Sequence, residues 1–229
     1  MTRTDRPYVL LSCAMSLDGC IDDATDQRLV LSDEEDLDRV DAVRATCDAI
    51  MVGANTIRRD DPRLLLRSPE RVRARMARRL PTNPAKVTLT ATGNLDPNAR
   101  FFTDGTADRL VFTPTGAHGA VRERLGGLAT ILPAGDPLDL ASLLTTLSGR
   151  GVARLMVEGG TMLLTAFLAR GLADELHLVV APFLVGDPRA PRLAGAAGLA
   201  NGPDRPARLV ETRRLGEQVL LRYALSDRC

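Results

Sequence analysis

Residues 50–64 read IMVGANTIRRDDPRL, an apolar run that ends in a glycine, a threonine, two adjacent aspartates and three arginines. An apolar strand that empties into a polar, charged turn is how an α/β protein builds a ligand site at the carboxyl end of its sheet. Gly53 lets the backbone approach a ligand closely, Thr56 supplies a hydroxyl, and Asp60 and Asp61 stand beside Arg58, Arg59 and Arg63. A turn that only reverses the chain has no need of that mixture.

Outward from this stretch, apolar runs of strand length alternate with longer helical patterns. Strands are expected at 8–15, 49–53, 86–90, 109–112, 129–132 and 154–158, and helices at 33–47, 117–124, 138–149 and 161–170. That rhythm predicts an α/β fold, a mostly parallel central sheet flanked by helices. Toward the C-terminus the pattern changes to strands at 174–182, 208–215 and 218–225. Only Gly216 and Glu217 separate the last two, which predicts an antiparallel C-terminal hairpin. The Gly-, Pro- and Ala-rich residues 186–206 read as a surface loop with at most a short helix. With no long linker, a single domain is expected.

The first helix is predicted to start from a capping box of Ser32 and Glu35, with Asp33, Glu34 and Asp36 favouring its positive end. A period of 3.6 residues puts Leu37, Val40, Val43 and Cys47 on one apolar stripe, with Arg44 at its edge. A guanidinium there either snorkels to water or meets a bound anion.

Composition removes several function classes. Thirty Lys and Arg against 29 Asp and Glu leave a net charge of +1, so nothing in the overall charge argues for nucleic acid or a membrane surface. No apolar run reaches membrane-spanning length, and no signal peptide is evident. Cys13, Cys20, Cys47 and Cys229 are scattered, which argues against a disulfide scaffold and a metal site and for a reducing cytoplasm. His118 and His177 stand alone, so a histidine triad is disfavoured; His177 reads as a core or surface residue. Residues 58–79 hold nine arginines against three acids, and the helix expected at 71–79 reads by default as a solvated basic face. Without interleaved aromatics, the patch suits a phosphorylated small molecule better than a nucleic acid.

A second constellation, LMVEGGTMLLTAFLARG at 155–171, is a strand, a Gly-Gly turn and a helix closed by Gly171. Gly159 and Gly160 allow close backbone approach, and the helix N-terminus at Thr161 and Met162 presents N–H groups to an anion. Glu158, at the mouth of the sheet, can accept hydrogen bonds from a substrate amine or amide. Neither a G-x-G-x-x-G nor a P-loop is present, so any nucleotide binds in another way.

Five blocks can now be set together: SLDGCI at 16–21, VGANTIRRDDPRL at 52–64, VEGGT at 157–161, GLADELHLVVAPFLVG at 171–186 and RLGEQVLLRY at 214–223. In this order and spacing, over residues 7–225, the chain resembles the riboflavin-biosynthesis pyrimidine reductases. That family is dihydrofolate-reductase-like and includes the C-terminal reductase domain of the bifunctional bacterial deaminase/reductase. The zinc motif of the deaminase half is not found in these residues, and the wording DEEDLDRV and DAIMVG is closer to the free-standing archaeal type. Two positions depart from the family pattern: Ser12 stands where fused members commonly carry a lysine, and Phe183 replaces the lysine of A-P-K.

The resemblance implies an NADPH-dependent reduction of a ribosylaminopyrimidine 5′-phosphate, with hydride delivered to ribose C1′ to give a ribitylamino product. It implies cofactor contacts at Ala14, Leu29, Thr56, Asp60, Thr90, Ala91, Thr92, Gly159, Gly160, Thr161, Met162 and Leu163, the helix contributing as far as Ala166. Substrate contacts are implied at Gln27, Arg44, Leu64, Arg67 and Glu158, with Glu158 and Asp60 as catalytic orienting groups. A homodimer is implied as well. The rival readings are a dihydrofolate-type or specialised-metabolite NADPH reductase of the same fold and a non-catalytic nucleotide-binding module.

Overall fold

The computed structural model describes residues 6–229 apart from Asp26 and Arg28. In chain order the elements are β1 (Tyr8–Met15), α1 (Glu34–Ala45), β2 (Ala49–Gly53), α2 (Ala54–Asp60), α3 (Pro69–Ala77), β3 (Ala85–Leu89), α4 (Arg100–Thr103), β4 (Arg109–Thr113), α5 (His118–Leu125) and β5 (Thr130–Pro133). They continue as α6 (Leu140–Gly149), β6 (Arg154–Val157), α7 (Thr161–Ala169), β7 (Glu175–Val180), β8 (Arg208–Leu215) and β9 (Gln218–Ala224). No described helix is long and apolar enough to cross a membrane. The chain forms two compact units: Asp41–Leu155 with Arg6 and Pro7, and Tyr8–Val40 with Met156–Cys229.

In the first unit β2, β3, β4 and β5 are parallel neighbours, with Val52 opposite Thr88, Val87 opposite Leu110 and Val111 opposite Ile131. Strands covered on both faces must be apolar throughout, which explains AIMVG at β2, whose first four residues are buried. Ile50, Val52, Ile57, Leu64, Phe101, Phe102, Val111, Val121 and Leu125 share one core. Helix α6 is well specified: Asp139 caps it by accepting from Ala141 N (3.0 Å) and Ser142 N (3.1 Å), and Leu140, Leu143, Leu144 and Leu147 form its buried stripe.

Lys86 of β3 is fully buried, and its ammonium donates to the carbonyls of Arg100 (3.2 Å), Phe101 (3.1 Å) and Asp104 (2.8 Å). These oxygens end the short helix α4, so the lysine caps it from the sheet. Burial lowers its pKa to about 8.

In the second unit β1 and β7 are parallel, with Leu11 opposite Leu176. Strand β9 then runs antiparallel between β7 and β8, and Gly216 (φ 57) turns the β8–β9 hairpin. The expected mostly parallel sheet with an antiparallel C-terminal hairpin is therefore found, and 186–206 is irregular, without a helix.

Four local expectations are corrected. Residues 54–60, read as a turn, form helix α2; Arg58 and Arg59 in its last turn favour the negative helix end, and Asp61 (φ 40) closes it by donating to Ile57 O. Helix α1 is capped by Asp33 rather than Ser32, since Asp33 Oδ1 takes the N–H of Asp36 (2.9 Å). Its buried positions include Asp36, Arg39 and Asp41, whereas Leu37, Val40 and Val43 are only half-buried, because these charged side chains find partners inside. The basic helix α3 is not a purely solvated face: Arg75 is buried and donates to the carbonyls of Pro81, Ala45 and Cys47.

Candidate functional site

In the first unit, α2 carries Thr56 and Asp60, both half-buried, and Asp61 accepts the N–H of Arg100 at 2.7 Å. Asp61, without a role in the sequence reading, therefore ties the end of α2 to the start of α4. The chain then runs without regular structure from Asp61 to Arg67. Leu64 lies in this segment at φ 49, its side chain buried in the core, so only its backbone is available to a ligand. Arg44 of α1 reaches the same segment and donates to Leu65 O at 3.3 Å, and Arg67 is exposed two residues further on. At the end of β3, Thr90 turns inward and accepts from Gly93 N (3.0 Å), while Ala91 and Thr92 are exposed. The buried hydroxyls of Thr88 and Thr113, on β3 and β4, make no hydrogen bond.

In the second unit, β6 ends at Val157, and Glu158 follows half-buried. Gly159 has φ 126, a conformation that L side chains rarely adopt, and a Cβ there would meet nothing within 4 Å. The Gly159–Gly160 peptide is cis. Gly160 then starts α7 with no capping side chain and no acid in the first turn, which leaves the positive helix end for an anion. Thr161 is half-buried, Met162 is 81% exposed and Leu163 is buried against the fold.

The segment after β1, which follows Ala14, is fixed by Asp18. Its carboxylate accepts from the Ser16 hydroxyl, Val185 N (3.0 Å) and Gly186 N (2.8 Å), and these bonds hold its pKa far below the usual carboxylate range. Arg192 donates to Asp18 O at 2.7 Å, and its own carbonyl accepts from the Thr161 hydroxyl at 2.6 Å. A chain of hydrogen bonds thus joins the Ser16–Cys20 turn to the head of α7. Sequence reading missed Asp18 and Arg192 as organisers; the only signal was the aspartate inside S-L-D-G. Gln27 is exposed, and Leu29 donates its N–H to Asp22 at 3.1 Å.

A further ionisable cluster sits on β1, β7, β9 and α1. Glu175 accepts from His177 Nε2 (2.9 Å), Tyr8 (2.9 Å) and Arg222 (2.6 Å), while Arg39 approaches His177 Nδ1 at 3.2 Å and Ser12 Oγ at 3.5 Å. The Glu175 carboxylate can only accept, so Nε2 carries the proton toward it and Nδ1 faces the Arg39 donor in a neutral imidazole. Arg222 Nε, 3.1 Å from both Nε2 and Glu175 Oε1, directs its N–H to the carboxylate. Burial drives the His177 pKa down against the pull of Glu175. For Glu175, burial acts upward, but the bonds from His177 and Arg222 prevail and bring it to about 2. His177 belongs to the interior, and a guanidinium occupies the neighbourhood of Ser12. Among the described residues no group of three or more His, Cys, Asp or Glu could hold a metal ion.

Comparison with known proteins identifies the lineage. The RibD C-terminal domain family matches residues 7–221. The chain is 36% identical over 223 residues to the 2,5-diamino-6-ribosylamino-4(3H)-pyrimidinone 5′-phosphate reductase of Methanothermobacter thermautotrophicus, covering 96% of this chain and 99% of that one. Among solved structures, RibD of Acinetobacter baumannii superposes with a TM-score of 0.79 at 27% identity, over 96% of this chain and 58% of that one. Dihydrofolate reductase of Enterococcus faecalis shares the fold, with a TM-score of 0.52 at 11% identity over 95% of each chain. A Gly-Gly turn before an uncapped helix, an arginine-bearing segment after β2 and a match along nearly the whole chain agree: the protein belongs to the RibD C-terminal domain family of riboflavin-biosynthesis reductases, built on a dihydrofolate-reductase-like fold.

Proposed function

We propose that the protein reduces 2,5-diamino-6-ribosylamino-4(3H)-pyrimidinone 5′-phosphate, the compound in the name of its M. thermautotrophicus relative, to the ribitylamino product with NADPH. The observation that carries this reading is the meeting of two arginines on one short segment: Arg44 is bonded to Leu65 O, and Arg67 follows two residues later. Two guanidinium groups at one segment suit a phosphate dianion, which each can engage through paired N–H donors.

The cofactor supplies the hydride for C1′ of the opened ribose. Gly159 and the uncapped start of α7 suit a nicotinamide dinucleotide, because the backbone there leaves the space of a side chain open beside a positive helix end. Ala14, Leu29, Thr56, Asp60, Thr90–Thr92 and Gly159–Leu163 make the cofactor contacts. Gln27, Arg44, the backbone of Leu64, Arg67 and Glu158 hold the substrate. Glu158 and Asp60 orient the reacting groups, and a carboxyl or a water gives the ribose oxygen its proton. Residues 7–225 act as one reductase domain in the cytoplasm. Strand β8, at the end of the strand order with Leu209 and Val210 exposed, is the edge through which a homodimer forms.

The test is NADPH oxidation with the pyrimidinone phosphate, its deaminated counterpart and dihydrofolate, each in turn. Fastest turnover of the pyrimidinone phosphate is expected; turnover of dihydrofolate alone, or of none, refutes the reading.

A further inference from the structure

Resting on the substrate role of Arg67 proposed above, we infer that Asp41 is a positioning residue that sets the phosphate-binding segment before the substrate arrives. Asp41 lies on α1 and is buried. Its Oδ1 accepts the backbone N–H of Arg67 at 2.5 Å, and its Oδ2 accepts those of Ser68 (3.2 Å) and the Arg71 guanidinium (3.0 Å). One carboxylate therefore holds two consecutive amides of the segment that carries Arg67.

The neighbouring backbone groups are held in the same manner. Leu66 N donates to Asn83 Oδ1 at 2.7 Å, and Leu65 O accepts from Arg44, one helical turn beyond Asp41. Four successive residues, 65–68, thus have a main-chain group bound by a side chain from elsewhere in the fold. The loop at 92–98 differs, since its amides at Asn94 and Asn98 bond to nearby Thr92 and Asp96 within the loop itself. A segment with no ladder of its own would have to be ordered by the ligand; bound from outside, it is ordered in advance and that cost falls on folding.

A buried carboxylate behind an anion site would oppose the anion by its charge. Arg71 answers this, because its ion pair with Asp41 offsets the negative charge behind the segment. The Asp41 carboxylate positions backbone, and Arg67 itself is exposed.

The test compares wild type, Asp41→Asn and Arg67→Ala with the pyrimidinone phosphate and with its dephosphorylated nucleoside, under saturating NADPH. Asp41→Asn should raise KM for the phosphorylated substrate about 10-fold, the effect of one or two charge-assisted hydrogen bonds, while kcat is kept. The nucleoside should show no comparable loss. Equal losses with both substrates, or no loss with either, overturn the inference. If Arg67→Ala raises KM but Asp41→Asn does not, the positioning role alone fails; if Arg67→Ala is also silent, the phosphate reading fails and the inference with it. Amide hydrogen exchange reads the same contact without substrate. Protection at Arg67 and Ser68 in the wild type is expected, so rapid exchange there overturns the inference even if Asp41→Asn does not fold.

Discussion

His177 donates from Nε2 to the Glu175 carboxylate across 2.9 Å while its Nδ1 faces Arg39 at 3.2 Å, so the ring is held neutral between an acid and a cation. Protonating it would set an imidazolium against a guanidinium inside the fold. Its folded pKa lies below the unfolded value, so its contribution to stability is present above about pH 6.5 and is lost as pH falls below that. Glu175 has the same sign: depressed from 4.5 to about 2, it stabilises above its unfolded value and loses this as pH falls toward 2. The urea midpoint should fall steadily from pH 7 to 4, and His177→Gln should flatten the part between pH 7 and 5. A midpoint insensitive to pH over that window would contradict the buried-network account.

Lys86→Met keeps the length of the side chain but removes the donor to three carbonyls of α4. Each of those oxygens keeps a second donor, Arg109 for Phe101 O and Asp104 O and the Asp104 amide for Arg100 O, so losing the ammonium's hydrogen bonds is expected to cost about 1–3 kcal/mol in denaturant unfolding. A loss below about 0.5 kcal/mol would mean that the lysine merely fills space there.

Gly159→Ala separates space from backbone strain. A methyl group there meets nothing within 4 Å, so any loss of stability comes from φ 126, and a loss of cofactor affinity is what the proposed cofactor role of this turn predicts. An unfolding cost of about 1–3 kcal/mol is expected, with a higher KM for NADPH. Unchanged cofactor affinity by fluorescence titration would remove this turn from the cofactor site.

Glu158→Gln should depress kcat well beyond any change in NADPH affinity, because the amide keeps the shape and loses the charge. Steady-state kinetics alongside direct NADPH titration checks this. Full activity would take Glu158 out of the reaction.

Much of the fold was readable because its signals are local. The apolar run at 49–53, the Gly216-Glu217 turn and the leucines of α6 each declare an element from their own neighbourhood, and the strands lie within one or two residues of expectation. Helix α2 was not readable in the same way: Gly53 and the charged residues after it look like a turn, and only the burial of Ile57 and the closure at Asp61 make a helix there. The candidate residues divide similarly. Arg44 and Glu158 stood out as charges in apolar surroundings, and the Gly-Gly turn as a break before a helix.

By itself, then, the sequence determined the α/β class, the antiparallel C-terminal hairpin and the family, because hydrophobic period, turn residues and ordered motifs are written along the chain. Tertiary structure alone decided the partners of the buried charges. Asp41 with Arg67 and Arg71, Asp18 with Val185 and Gly186, and His177 with Arg39 and Arg222 pair residues up to 167 or 168 positions apart. The physical reason is that a charged side chain withdrawn from water must be met by donors or acceptors wherever the fold brings them, and no local pattern records which those are.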